Sequence, residues 1–261
     1  MSADEDRISD LPDELLHRIL VRLGSARAAV RTGVLSRRWR HILGPLPELF
    51  LNGDDLDAPP PPPLKSSLDN IDAALAACDA PILRRLDIGW ALSSIVDGRG
   101  IPAVRATRWL RLASEHVVDQ LHIDLPRPEV ANGEEEEAVL QLPACEAVTS
   151  MNLILEGSWR IQPPSAGLFA ALTNLTIHCG RMDGAELTAL VCTQCPCLVR
   201  LKVSLMLLVN ASDVSIRSDS LQSLRFTVWK TDQSLQQFFV MNRLEIVAPR
   251  MEKLSFIYRH G

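Results

Sequence analysis

A chain of 261 residues that is 47% hydrophobic can build one large domain or two smaller ones and has ample material for a buried core. Its net charge of −5 argues against broad, non-specific binding to nucleic acid, which needs a basic field. A membrane span is excluded as well, because the longest apolar run, near Val203–Val209, is interrupted by Ser204 and falls far short of the ~20 residues required.

The N-terminus, Ser2-Ala3-Asp4-Glu5-Asp6, is acidic and lacks the apolar stretch of a secretory signal. An intracellular chain, nuclear or cytoplasmic, with reduced cysteines is therefore expected. Three short helices follow in the pattern of residues 6–50. Pro12 suits a first helical turn, where its missing N–H costs nothing, and Asp13 and Glu14 favour the same end of the helix dipole. Leu15, Leu16, Ile19, Leu20 and Leu23 recur at helical spacing up to Gly24. A second helix fits Ala26–Thr32. Ser36 is a good N-cap for a third, which carries Trp39 and Ile42 and stops at Gly44-Pro45. About 45 residues are thin for an independent core. Either a partner completes that core or the helices pack on the rest of the chain.

Asp6-Arg7-Ile8-Ser9-Asp10-Leu11-Pro12-Asp13-Glu14-Leu15-Leu16-His17-Arg18-Ile19-Leu20 resembles the start of a plant F-box. Ala29-Val30-Arg31-Thr32-Gly33-Val34-Leu35-Ser36-Arg37-Arg38-Trp39-Arg40 resembles its second half. The match departs at Ile42-Leu43, where many relatives carry a Trp. The resemblance implies docking to the Skp-type adaptor of an SCF ubiquitin ligase. On that reading Leu11 and Pro12 lead rigidly into the adaptor groove, Leu15, Ile19 and Leu20 are helix-in-groove anchors, and Leu35 and Trp39 present the third helix. Which of these side chains instead hold the three helices together is left open by their spacing.

Residues 51–65 form an acidic, proline-rich linker. Pro59 to Pro63 within it predict a stiff polyproline II spacer. From residue 66 to 261 an apolar-x-x-apolar-x-apolar motif recurs. It reads Leu83, Leu86, Ile88; Val118, Leu121, Ile123; Val148, Met151, Leu153; and Leu172, Leu175, Ile177. It continues as Leu198, Leu201, Val203; Leu221, Leu224, Phe226; Met241, Leu244, Ile246; and Met251, Leu254, Phe256. Steps of 24, 26 and 23 residues (148 to 172, 172 to 198, 198 to 221) fit leucine-rich repeats. Earlier steps of 35 and 30 imply loop insertions, one holding Glu134–Glu137. Val214, Ile216, Leu221, Leu224 and Phe226 also map onto Leu244, Ile246, Met251, Leu254 and Phe256 at a constant offset of 30. Period-2 alternation predicts short parallel strands, and stretches such as Ala185–Cys192 predict helices between them. Strand plus helix per repeat gives a solenoid.

These segments are also similar to plant F-box/LRR proteins, in Asp79-Ala80-Pro81-Ile82-Leu83-Arg84-Arg85-Leu86 and Ile246-Val247-Ala248-Pro249. Some relatives continue into an FBD-type segment. Gly261 follows closely on a strand motif with no visible polar cap, and a short or truncated form is the expectation. The expected architecture is α+β: an N-terminal three-helix F-box over 6–50, the linker over 51–65, and an α/β leucine-rich repeat solenoid over 66–261.

Other constellations are weaker. Cys192, Cys195 and Cys197, with His178 and Cys179 upstream, give half of a zinc site, and the six cysteines read better as small hydrophobes. Arg37-Arg38-Trp39-Arg40 is offset by acids, with 8 Arg against 7 Asp and Glu in residues 1–50, and reads as a solvated helix face. Gly98-Arg99-Gly100 lacks the rest of a phosphate loop. No nucleophile elbow occurs, and His116 and His122 have no catalytic partner at motif spacing. No catalytic site, cofactor, metal, nucleic-acid or membrane partner is expected. The expected role is a non-catalytic SCF subunit that holds a target protein for ubiquitin-dependent degradation. The alternatives are a non-degradative scaffold, a truncated competitor for the adaptor, and a nucleic-acid binder led by the Arg-Trp cluster.

Overall fold

Leu49 and Leu51 alternate with Phe50 in the short strand β1 (Glu48–Asn52), and this alternation is the theme of the whole molecule. The computed structural model describes residues 12, 15, 48–52, 64–76, 81–90, 100–129, 138–209, 213–230 and 243–260. In chain order β1 is followed by α1 (Leu64–Ala76), β2 (Leu83–Gly89), α2 (Ala103–His116), β3 (Val117–Leu125) and β4 (Val139–Gln141). Then come β5 (Ser150–Gln162), β6 (Asn174–Asp183), α3 (Gly184–Ala189), β7 (Arg200–Ser204) and β8 (Leu207–Val209). The last four strands are β9 (Asp213–Arg217), β10 (Ser223–Lys230), β11 (Arg243–Val247) and β12 (Lys253–His260).

One parallel sheet runs β1-β2-β3-β5-β6-β7-β10-β12, in the order of the sequence. Its register stacks like on like. Leu49, Leu86, Leu121, Met151, Leu175, Leu201, Leu224 and Leu254 form one rung-by-rung row, and Leu51, Ile88, Ile123, Leu153, Ile177, Val203, Phe226 and Phe256 form the next. Nearly all of these side chains are buried, and Phe226 and Phe256 stack with ring centroids 5.9 Å apart. The turns that lead into the strands repeat as well. Thr149 N–H donates to the Asp119 carbonyl, Thr173 to Thr149, Val199 to Thr173, Gln222 to Val199 and Glu252 to Gln222, all at 2.8–2.9 Å. Backbone groups that would otherwise be buried without partners are thereby satisfied from one unit to the next.

The 30-residue offset seen in the sequence is a true structural register. Leu244 pairs with Val214 and Ile246 with Ile216 in the small β9–β11 sheet, while Leu254 pairs with Leu224 and Phe256 with Phe226 in the main sheet. Four expectations need correction. The first rung of the second motif is Val117, not Val118, because the β2–β3 register shifts between Leu83 and Arg85 and pairs Leu83 with Val117. Leu244 and Ile246 do not line the main sheet, since among the described residues β11 pairs only with β9. Nor is there one helix per strand. Among the described residues between the strands, the α-helices are α1, α2 and α3, and other connections carry short strands: β4 against β5, β8 against β6, and β9 against β11. The sheet also begins earlier than the repeat region drawn from the sequence, at Glu48, ahead of the prolines.

Helices form where the apolar spacing and the ends allow. In α1, Leu68, Ile71, Ala74 and Leu75 face the core, and in α2 Ala106, Trp109, Leu110 and Ala113 do. Pro102 is the extended N-cap of α2, and its carbonyl accepts from Arg105 N–H at 3.0 Å. The two helices are tied by Arg105 to Asp69 at 2.8 Å and to Asp72 at 3.2 Å, and by Trp109 Nε1–H to Asp72 at 2.7 Å. Asp183 and Glu186 form a capping box at the start of α3, which fits the helical pattern of Ala185–Cys192 and passes into a π-helical turn over Leu190–Gln194. Between β5 and β6 the register shifts after Leu155. At the same place Cys179 (φ 62) and Gly180 (φ 78) take left-handed backbone, so the strands bend and run on to pair with β4 and β8.

Candidate protein-binding surface

The apolar rungs turn one face of the sheet toward the core, so the intervening residues must form the other face. Register places them in rows. One row is Glu48, Arg85, Gln120, Ser150, Asn174, Arg200, Ser223 and Lys253, and the next is Phe50, Asp87, His122, Asn152, Thr176, Lys202, Arg225 and Ser255. All of these are polar except Phe50, and none is buried.

The two ends of this face differ. At the β1–β3 end the side chains partner one another. Arg85 lies over the Phe50 ring at 4.9 Å and donates to Asp87 at 3.0 Å. His122 Nε2 is 4.0 Å from Asp87, and His122 Nδ1 meets Asn152 Nδ2 at 2.7 Å. At the β7–β12 end, Arg200, Lys202, Arg225 and Lys253 are all exposed. Arg200 donates to Asn174 at 3.0 Å, but none of the four cations has an ion-pair partner among the described residues. Next to them His178 is held below its ordinary pKa, first by burial and then by the positive charge of Lys202.

The residues expected to meet an adaptor are mostly outside the described set: Leu11, Ile19, Leu20, Leu35 and Trp39 all fall there, as does the Arg37-Arg38-Trp39-Arg40 cluster. Pro12 and Leu15 are described. Leu15 N–H donates to the Pro12 carbonyl at 2.9 Å, and the Leu15 side chain is 43% exposed. The proline-rich segment and Glu134–Glu137 are also outside the described residues. The outward rows were present in the sequence as the single residue between the last two apolar positions of each motif, such as Lys202 between Leu201 and Val203. Periodicity identified the apolar positions and left these unread.

Among the described residues no group of three or more His, Cys, Asp and Glu is placed to hold a metal ion. Cys145 and Cys195 are buried, and burial pushes both thiols up to about 12. Cys192 is half-buried, accepts from Arg217 N–H at 3.1 Å and donates to the Ser215 carbonyl at 3.2 Å. Cys197 is exposed in the turn before β7, which corrects the expectation that it is a small buried hydrophobe. Alkylation of the native protein at pH 8 should therefore modify Cys197 and spare Cys145 and Cys195, as read by peptide mass spectrometry. Equal labelling of the three would contradict this packing.

Residues 8–49 match the F-box domain family. Over 44 residues, 17% of each chain, the protein is 50% identical to F-box/LRR-repeat protein 25 of Arabidopsis thaliana. The similarity extends further in two FBD-associated F-box proteins of the same plant. One, called probable, is 26% identical over 222 residues, covering 84% of this chain and 49% of its own. The other, called putative, is 27% identical over 261 residues, covering 98% of this chain and 56% of its own. No solved structure matches. The chain thus carries an F-box domain ahead of a parallel sheet. Along most of its length it is similar to plant F-box proteins of the FBD-associated type, and it spans about half the length of those relatives.

Proposed function

We propose that this chain is the intracellular substrate-recognition subunit of an SCF ubiquitin ligase. Its F-box binds a Skp-type adaptor, its sheet binds a target protein, and it performs no catalysis itself. The observation that carries this reading is the F-box match over residues 8–49 directly followed by a parallel sheet whose strands add in chain order. A sheet built by such addition reads as a leucine-rich repeat solenoid, in which each unit covers the apolar rungs of the one before and leaves a continuous outward face. The work of such a subunit is geometric: it raises the concentration of a target beside a ubiquitin-loaded enzyme carried by other subunits. The exposed Leu15, one turn after Pro12, supports its assignment as an anchor. Leu11, Pro12, Ile19, Leu20, Leu35 and Trp39 are proposed to complete the adaptor contact.

The test is a pull-down with a Skp-type adaptor. Leu11→Ala/Trp39→Ala should lose at least about tenfold in affinity, since truncating a buried aromatic anchor commonly costs about 2 kcal/mol or more. Thermal melting of both proteins must show the sheet unaffected. A wild-type chain that fails to bind the adaptor would sink the ligase reading and leave a non-degradative scaffold.

A further inference from the structure

We infer that the outward face of β7, β10 and β12 is a docking surface for an acidic, Asp/Glu-rich polypeptide segment of the protein that the sheet binds. This rests on the reading of the sheet as the target-binding part of the chain. Lys202 and Arg225 are direct partners across β7 and β10, and Arg200 and Lys253 flank Ser223 in the adjacent row. Neighbouring strands lie about 4.8 Å apart and alternate residues of one strand about 7 Å apart. Four cations therefore share a patch only about 10 Å by 7 Å across.

Among the described residues none of the four has an ion-pair partner. Of the carboxylates at outward positions, Glu48, Asp87 and Asp124 are on β1, β2 and β3, at the other end of the sheet, and Glu156 lies on β5 beside Cys179. On β7 and β10 and over residues 253–257 of β12 no outward position is Asp or Glu, and the one acid of β6 is Asp183 at its far end, where it caps α3. Asp219 and Glu252 sit in the turns that lead into β10 and β12, and neither forms an ion pair with these cations among the described residues. Burial first, and then the nearby Lys202 ammonium, lower the pKa of His178 beside this patch.

Clustered like charges on adjacent strands repel and weaken the sheet. Four such cations with no ion-pair partner among the described residues, in a chain of net charge −5, form a local positive field that an anionic partner would relieve. A polypeptide fits better than a nucleic acid strand. The patch spans only three strands, and the same face turns acidic at β1–β3, where it would repel a continuous phosphate backbone. A peptide whose acidic part lies on β7–β12 and whose neutral or basic part lies toward β2–β3 would be complementary along the whole face.

The test uses the full chain and a fluorescein-labelled poly-glutamate peptide as probe, followed by fluorescence anisotropy at low and at physiological salt. Wild type is expected to bind, with affinity falling as salt rises. Lys202→Glu/Arg225→Glu should weaken binding about tenfold or more, and Lys202→Gln/Arg225→Gln by an intermediate factor. Arg108→Glu/Arg111→Glu, the same charge change on exposed positions of α2, should change it less than about twofold. All variants alter exposed side chains, so their melting temperatures should match wild type. Equal losses in the sheet and helix variants, or no binding by wild type, would overturn the proposal. So would tighter binding of a poly-uridine strand that the sheet variant abolishes, which would make the face a nucleic-acid site. The adaptor pull-down runs in parallel. Adaptor binding without poly-glutamate binding removes the acidic partner and leaves the receptor reading intact, whereas loss of adaptor binding by wild type removes that reading whatever the peptide does.

Discussion

Trp109→Ala should lower stability by about 3–5 kcal/mol, the range typical of a fully buried Trp. Trp109 is 1% exposed on α2 and stacks on Trp90 with centroids 5.8 Å apart and planes 22° from parallel. Its Nε1–H donates to Asp72 of α1 at 2.7 Å, and Asp72 also receives Arg105 at 3.2 Å. Truncation therefore leaves a cavity beside a second buried indole and takes one of two donors from a part-buried carboxylate. It also loosens the join between the helices that cover β1–β3. For a chain of this size the melting temperature should fall by roughly 10 °C. Trp109→Phe separates the two contributions, because it keeps most of the packing and loses the hydrogen bond; about 1–2 kcal/mol is expected. Urea denaturation followed by near-ultraviolet circular dichroism measures both. An alanine variant within about 2 °C of wild type would mean that α2 does not pack as described.

Leu175-x-Ile177, Leu201-x-Val203 and Leu224-x-Phe226 were legible in the sequence because a strand buried on one face repeats every second residue, and burial imposes that pattern directly. The 30-residue offset was legible for the same reason, since pairing units of equal length stack in register. Val117 was missed because a register shift is a property of two strands together, and Val117 and Val118 are equally apolar. β11 was misplaced because an apolar strand motif does not say which sheet it joins. The helices were over-expected: only a Pro or capping box fixes a start, as at Pro102 and Asp183, and short strands serve the other connections equally well. β1 was hidden between a helical region and a proline run, where Leu49 and Leu51 supply only two apolar positions. The basic patch could not be read at all. Lys202, Arg225, Arg200 and Lys253 lie up to 53 residues apart and meet only through strand register. The F-box was legible as a resemblance in two halves of linear sequence, which needs no tertiary contact to be seen.

Gly100→Ala is expected to be the most damaging small substitution in the described part of the chain. A Cβ at this position would lie 2.0 Å from the Pro128 carbonyl carbon, 2.1 Å from its oxygen and 2.2 Å from Glu129 N. These are backbone atoms, so no side-chain rotation relieves the overlap. Either segment must move by about 1.5 Å to reach an ordinary contact near 3.5 Å. The next residue cannot follow that movement cheaply. Ile101 is wholly buried, bridges Pro128, donates its N–H to the Arg127 carbonyl at 3.0 Å and accepts from Glu129 N–H at 2.9 Å. Separating the strands weakens both hydrogen bonds and pulls on Pro102, which caps α2. Overpacking typically costs 1–3 kcal/mol and each stranded buried backbone group a similar amount, so about 3 kcal/mol or more is expected. Gly167 is a useful contrast. Its φ of +96 and a Cβ approach of 2.6 Å to the Ala144 methyl also disfavour alanine, but it lies in an exposed connection and pairs with no buried bridge. Gly167→Ala should therefore cost only about 1–2 kcal/mol. Urea midpoints for the two variants decide the matter. If Gly100→Ala is no worse than Gly167→Ala, the approach of residues 100 and 128 is not the constraint that fixes the start of α2; if it is clearly worse, the glycine is required because two backbones touch there.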